Sequence, residues 1–281
     1  MQQCAKCKIP HEIICLDDQS DSSFKKHNQE INARLGVNYV ELSEKLGRSK
    51  IRNRLAMLAR YDWLLLLDAD TKLPSKRFVK NYLQYLDDGY AAVVGGIKYN
   101  NKAPKTKNKL LHWKVGTKRE MRSLRHRNKY PHRYFHTANL VIRRKTLLDF
   151  PFDQEVEGYG YEDVLLGSKL NKNGFKILHV DNPVIHRGLK KSNILLADHI
   201  NASENLASMY YHEKVTDTKL IKTYEWIRHL GLQDLVFDYI GSKVNKYEES
   251  LISGENSLLK LDLVKLYYFD RSIRGLYNQD S

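Results

Sequence analysis

An α/β domain on a largely parallel sheet, followed by a helical extension, is the fold class this sequence predicts. Over residues 1–190 short apolar runs alternate with stretches of helical period, the alternation that builds parallel sheets. Two of those runs stop at paired carboxylates, where open α/β sheets meet their ligands. Over residues 191–281 the apolar positions recur at helical spacing instead.

Residues 11–16 (HEIICL) read as a short buried strand ending at Asp17 and Asp18. Residues 49–60 place Ile51, Leu55, Leu58 and Ala59 on one helical face. Residues 61–67 (YDWLLLL) form a buried strand that ends in Asp68-Ala69-Asp70. A helix over 77–86 carries Phe78, Tyr82 and Tyr85 on one side, and 90–98 (YAAVVGGIK) returns to strand. Residues 110–125 read as a helix and the stretch after them as loop. Strand pattern resumes over 134–143. A helix over 158–173 ends at Gly174, and 175–180 is a strand. Beyond Ile194, residues such as Leu220, Ile221, Tyr224 and Ile227 give apolar helix faces.

The 281 residues are 42% hydrophobic, enough for a core, which excludes disorder as the global description. Net charge is +14, and its distribution is uneven. Residues 98–133 hold 13 Lys and Arg against one acid, Glu120, so the remainder is nearly neutral. A local basic stretch points to one anionic partner at one surface. His112, Trp113, Tyr130 and His132 are interleaved with this charge, which also suits a nucleic-acid surface or a solvated loop. No apolar run is long enough to span a bilayer. The opening MQQCAKCKIP lacks the apolar centre of a signal peptide, so the expected location is the cytoplasm. Cys4, Cys7 and Cys15 make no disulfide framework, and Cys4-x-x-Cys7 has no second pair to complete a zinc site.

Three groups of residues carry chemistry. Asp17-Asp18 and Asp68-x-Asp70 each close a strand. Paired carboxylates repel one another, and a hard cation such as Mg²⁺ or Mn²⁺ bridging a diphosphate relieves that repulsion. The competing reading is ordinary turn chemistry. The third group is Glu157-Gly158-Tyr159-Gly160-Tyr161-Glu162-Asp163, where glycines allow a tight bend before two acids at a helix start. One of those acids can take a proton from an attacking hydroxyl; both can equally serve the helix dipole. His186 follows the 175–180 strand and reads either as a ligand or as an exposed loop histidine.

Taken in order, EIICLDDQSD, GRSKIRNR, YDWLLLLDAD and GYGYEDVLLGSKL resemble the family 2 glycosyltransferases of GT-A fold, the last motif being of galactosyltransferase-like Gly-aromatic-Gly-x-Glu-Asp type. The resemblance runs over residues 12–186, roughly two-thirds of the chain. It implies a nucleotide-diphospho-sugar transferase fold, Rossmann-like, with a mixed, mostly parallel sheet. It implies that Asp17, Asp18, Arg52 and Asp68 bind the donor nucleotide, with Asn53 ordering the helix start near Arg52. It implies that Asp70, with His186, holds Mn²⁺ or Mg²⁺. Tyr159 and Glu162 would meet the acceptor, and Asp163 would be the catalytic base.

The chain departs from the family in two places. Members open with a strand about 20 residues ahead of the first acid pair, whereas 16 residues precede Asp17 here and none reads as that strand. The expectation is a chain starting inside the first helix and a sheet lacking its first strand, with unpaired backbone as the consequence. Tyr159 also stands where Trp is commoner.

These readings converge on a glycosyltransferase domain over 1–190 and a helical extension over 191–281. The expected activity is metal-dependent, inverting transfer from a nucleotide-diphosphate sugar, UDP-linked, to a glycan or lipid-linked glycan. Expected partners are that donor and acceptor, with peripheral contact at the inner face of the cell membrane and no nucleic acid. The rival readings are a basic nucleic-acid-binding protein using 98–133 and a nucleotidyltransferase.

Overall fold

The computed structural model describes residues 2–279 apart from 87, 157 and 216. Helix α1 (Gln2–Cys7) docks by one side chain: the Gln3 amide donates to Ser75 O at 3.0 Å and accepts from Val79 N at 3.1 Å. Strand β1 (Ile13–Asp17) pairs in parallel with β2 (Val37–Glu41), the crossover carrying α2 (Ser22–Gln29). Helix α3 (Gly47–Leu58) follows, then β3 (Trp63–Leu67), β4 (Thr71–Lys72), α4 (Phe78–Leu83), β5 (Ala92–Val94) and β6 (Ile97–Lys98). The basic stretch folds as α5 (Leu110–Val115), one π turn (Gly116–Glu120) and α6 (Leu124–Lys129). Strand β7 (Asn139–Arg143), α7 (Arg144–Asp149), α8 (Glu162–Lys172), β8 (Ile177–His179) and β9 (Val184–His186) complete this half.

The central sheet has the order β3-β7-β5-β8 and is mixed. Strand β7 runs antiparallel to both neighbours, whereas β5 and β8 are parallel. Leu140, Val141 and Ile142 of β7 are all buried, so this strand is covered on both faces, as a strand sandwiched between helical layers must be. A second, small sheet of order β4-β9-β6 sits at the functional end. Among the described residues β1 bonds only to β2, and β3 only to β7. The two strands nonetheless face one core: Ile14 and Leu66 pack with Leu64, Leu140 and Phe152. Among the described residues the sheet is therefore interrupted between β1 and β3.

The run over 90–98 divides into β5 and β6 at Gly96, whose φ of +87° leaves the extended region, and the preceding Gly95 has no room for a side chain. A Cβ there would lie 2.0 Å from the Tyr82 hydroxyl and 2.5 Å from Asn182 O. The helix predicted over 110–125 is broken after the π turn, where Met121 is extended. The loop predicted beyond residue 125 is instead α6, whose N-terminus is capped by Ser123 Oγ accepting from His126 N.

Five helices form the extension: α9 (Ser192–Tyr211), α10 (Lys219–His229), α11 (Gln233–Gly241), α12 (Val244–Ile252) and α13 (Leu258–Gln279). They share a core with the first half, since Leu165 of α8 packs with Leu206, Ile221 and Phe269. Among the described residues no helix is long and apolar enough to cross a membrane.

Candidate active site

A cleft of about 1730 Å³ opens between the central sheet, the basic stretch and the helical extension. Arg52, Asp68, Asp70, Tyr159, Glu162, Asp163 and His186 all line it. Seven of the nine residues implied by the sequence thus meet in one cavity.

Arg52 organises that cavity. It projects from α3 and is 8% exposed. Its Nη1 donates to Glu162 Oε1 at 2.9 Å and lies 3.6 Å from Asp163 Oδ1, while Nη2 lies 3.6 Å from Asp68 Oδ1. One guanidinium therefore ties the end of β3 to the start of α8. The planar fork of Arg suits such bridging, where the compact ammonium of Lys would not. Asn53, its neighbour, is buried and exchanges two hydrogen bonds with the Phe152 backbone at 2.9 Å. Glu162 presents little of its carboxylate to the cleft: its side chain is 5% exposed and held by Arg52, by Arg48 at 3.6 Å and by the Gly160 N–H at 3.1 Å. The acceptor contact expected of Glu162 is thus replaced by an inward one, because two guanidiniums claim its oxygens.

Asp163 is placed differently. Thr137 N donates to Oδ2 and Thr137 Oγ1 to Oδ1, each at 3.0 Å. The side chain remains 22% exposed, enough for an incoming hydroxyl to reach it. Burial, the largest influence, raises its pKa to about 6; the Arg52 charge opposes this and Glu162 adds to it. The helix start was expected to favour the ionised form, but loss of solvent outweighs the dipole here. A carboxylate of that pKa is still mostly ionised at neutral pH and is better matched to proton transfer than an ordinary Asp.

Asp70 and His186 meet through strand register. β4 and β9 pair antiparallel with Thr71 opposite His186, which brings His186 Nε2 to 3.2 Å from Asp70 Oδ2. The hydrogen bond to His186 is the largest influence holding the Asp70 carboxyl below its ordinary range. Burial works against a charged His186, yet the Asp70 contact prevails and its pKa is raised. Gly188 lets the backbone close over this pair, since a Cβ there would fall 2.1 Å from Asp70 Oδ2. His186 Nδ1 is buried without a hydrogen-bond partner. One carboxylate and one imidazole fit a cation of the Mn²⁺ or Mg²⁺ kind. Among the described residues no cluster of three or more potential ligands forms, so diphosphate oxygens and water would complete the shell.

The loop before α8 is shaped by its glycines. Gly158 and Gly160 have φ of +71° and +105°, and a Cβ at either would strike α9, at Asn201 Oδ1 (2.2 Å) or Ala202 Cβ (2.4 Å). Asn201 Oδ1 also accepts from Tyr159 N at 2.6 Å. The extension therefore sets the position of this loop. Tyr159 lies between cations, with Arg48 4.7 Å and Lys190 4.6 Å from its ring. Glu157, the first residue of the motif, lies outside the described residues.

Asp17 and Asp18 do not line the cleft with Asp68 and Asp70. Asp17 is buried, accepting from Ser20 N at 2.6 Å and from the Tyr39 hydroxyl. Asp18 accepts from Leu46 N at 2.6 Å and Gly47 N at 2.9 Å, so it caps the entry to α3. Both carboxylates are committed to turns by these backbone donors.

Several residues of the site carried no signal in the sequence. Thr137 looks like any hydroxyl before a strand. His112 packs 5.3 Å from the His186 ring, and its Nδ1 accepts from Lys190 N at 2.8 Å. Only the rarity of three histidine and tyrosine rings in contact, with Tyr99 5.2 Å from His186, marks them out.

Comparison with known proteins agrees with this architecture. A hyaluronan synthase from Pasteurella multocida is 27% identical over 200 residues, which is 60% of this chain and 20% of the synthase. The chain thus spans about one fifth of that relative's length. Among solved structures, the mannosyltransferase PcManGT from Pyrobaculum calidifontis, in complex with GDP-Man and Mn²⁺, superposes with a TM-score of 0.52 at 14% identity. That match covers 95% of this chain and 78% of the mannosyltransferase, and it bears on the fold alone. The model of glycosyl transferase family 2 matches residues 3–149, more than half of the sequence and the segment holding β1, Arg52 and Asp68-x-Asp70, so the chain belongs to that family.

Proposed function

We propose that the chain moves a sugar, with inversion, from a UDP-linked donor to a hydroxyl of a glycan or lipid-linked glycan. One observation carries the reading: Arg52 contacts Asp68 on one side and Asp163 on the other, so donor and acceptor motifs share one cleft. Asp163 takes the proton of the acceptor hydroxyl as its oxygen bonds to the anomeric carbon. The bond from that carbon to the diphosphate oxygen breaks, and the nucleoside diphosphate leaves with the electron pair. The sugar passes through an oxocarbenium-like state, as in other glycosyl transfer.

Thr137 holds the Asp163 carboxylate through two donors, and Arg52 limits the rise of its pKa. Asp68 meets the ribose in this reading, while Asp70 and His186 would hold Mn²⁺ or Mg²⁺. Bound there, such a cation offsets the charge that builds on the departing diphosphate. Glu162 acts through Arg52 rather than on the acceptor.

A panel of nucleotide sugars, with and without Mn²⁺ or Mg²⁺, tests the proposal by the product released. Cation-dependent release of UDP, lost in Asp163→Asn, supports it. Release of pyrophosphate would mean a nucleotidyltransferase. Undiminished transfer by Asp163→Asn would remove the base.

A further inference from the structure

The cleft is larger than a donor alone requires. Pockets for single small ligands run to roughly 300–1,000 Å³, whereas this one is about 1730 Å³. It continues from Asp68 and Asp70 into the helical extension, where Lys219, Trp226, Leu259 and Lys265 line it. The additional room belongs to something other than a nucleotide sugar.

Charge is sorted within the lining. Asp68, Asp70, Glu162 and Asp163 cluster around Arg48 and Arg52. The rest of the lining carries nine Lys and Arg against four acids. Arg119, Arg133 and Lys222 are engaged with Asp262 and Asp217. Arg122, Lys219 and Lys265 have no ion-pair partner among the described residues. Lys265 is the telling one: it is half-buried on α13, between buried Val264 and Leu266. An ammonium taken partly out of water without a counter-ion is unfavourable, and a bound anion would correct that. Trp226, 65% exposed, lines the same cleft and offers an apolar face on which a sugar ring can pack.

Resting on the glycosyl-transfer reading above, we propose that this part of the cleft is a subsite for an anionic acceptor glycan. Carboxylate or phosphate groups of the chain pair with Lys265, Lys219 and Arg122, and a sugar ring lies against Trp226. A single exposed indole differs from the several aromatic platforms on which a single-stranded nucleic acid stacks.

Binding is measured by titration calorimetry with three oligomers of equal length: a neutral glucan, a glucuronate-containing oligosaccharide and a glycerol-phosphate oligomer. Donor hydrolysis is recorded on the same protein preparations. At low salt the wild type is expected to bind one of the anionic oligomers at least tenfold tighter than the neutral one, and high salt should erase the difference. Whether the uronate or the phosphate oligomer binds identifies the source of the charge. Lys265→Gln with Lys219→Gln should lose about tenfold in that affinity while donor hydrolysis stays unchanged. Trp226→Ala should weaken binding of the two oligosaccharides, whose sugar rings pack on the indole. Equal binding of neutral and anionic oligomers would overturn the subsite, as would unaltered anionic affinity in the double variant. So would equally tight binding of an oligothymidylate of the same charge. Donor hydrolysis separates the two layers: its absence with anionic binding intact refutes the transferase reading and spares the subsite.

Discussion

Replacing Arg52 by Met keeps an unbranched apolar stem and removes the charge that three carboxylates share. Arg52 and Glu162 have side chains 10% and 5% exposed and a contact of 2.9 Å, so the pair is buried. Breaking a buried pair by deleting one partner costs about 3–5 kcal/mol, because the other charge is left desolvated. A pH signature accompanies that loss. Asp163 already has a pKa raised to about 6 against its ordinary 3.8, and Arg52 is the main group opposing the rise. A carboxyl whose pKa is higher in the folded state holds its proton more tightly there than in the unfolded chain. Stability from this group is therefore present at low pH and lost as pH climbs from about 4 to about 6. Without Arg52 the upper end of that window moves higher. Urea unfolding of Arg52→Met at about pH 5 and about pH 8 should show the larger deficit at the higher pH. The acid limb of the transfer rate should move to higher pH in the same variant. Adding Glu162→Gln should restore part of the lost stability, since it removes one stranded charge. A deficit below about 1 kcal/mol, or one equal at both pH values, would refute the bridging role assigned to Arg52.

Asp163→Asn should lower transfer roughly a hundredfold or more, while thermal unfolding above pH 6 shows equal or greater stability because no buried carboxylate remains to ionise. Wild-type transfer should itself rise with pH through about 6 as Asp163 loses its proton, read from a pH–rate profile. Asp70→Asn should abolish cation-dependent donor hydrolysis and leave the circular dichroism spectrum unchanged, since that side chain is 46% exposed. Gly160→Ala should cost roughly 1–3 kcal/mol by denaturation, because φ is +105° and the new methyl would meet Ala202 Cβ at 2.4 Å.

Elements with uninterrupted apolar content were legible. YDWLLLL announced β3, although the expected burial holds only for Leu64 while Leu65 and Leu67 are exposed, and the spacing of Ile221, Tyr224 and Ile227 announced α10, where all three are buried. Strand β2 (VNYVE) escaped notice: its Asn38 is exposed and only Tyr39 is buried, so its composition resembles a loop. The division of 90–98 was hidden because an apolar run does not reveal that Gly96 takes a φ of +87°. Helix α6 was hidden by its composition, LRHRNK, which has no apolar face; its Ser123 cap and the burial of Arg127 fix it. Arg127 donates to Val180 O and to His179 Nδ1, each at 3.0 Å, so part of the basic stretch stabilises the sheet instead of meeting solvent.

For the site, motif order located the cleft, and the supply of hydrogen-bond donors separates its acids. Each of Asp17, Asp18 and Glu162 sits where donors are plentiful: backbone N–H groups at turns for the first two, guanidiniums for the third. A carboxylate so supplied is poorly available to a ligand. Asp163 accepts from Thr137, lies 3.6 Å from Arg52 and retains access to the cleft, and Asp70 pairs with His186. Sequence spacing cannot distinguish these cases, since all five are acids at the end of a strand or the start of a helix. The distinction arises when α3, β4 and α8 converge and Arg52 chooses which oxygens to hold. Asp163 and Asp70 keep access to the cleft, which suits the base and the cation ligand proposed for them.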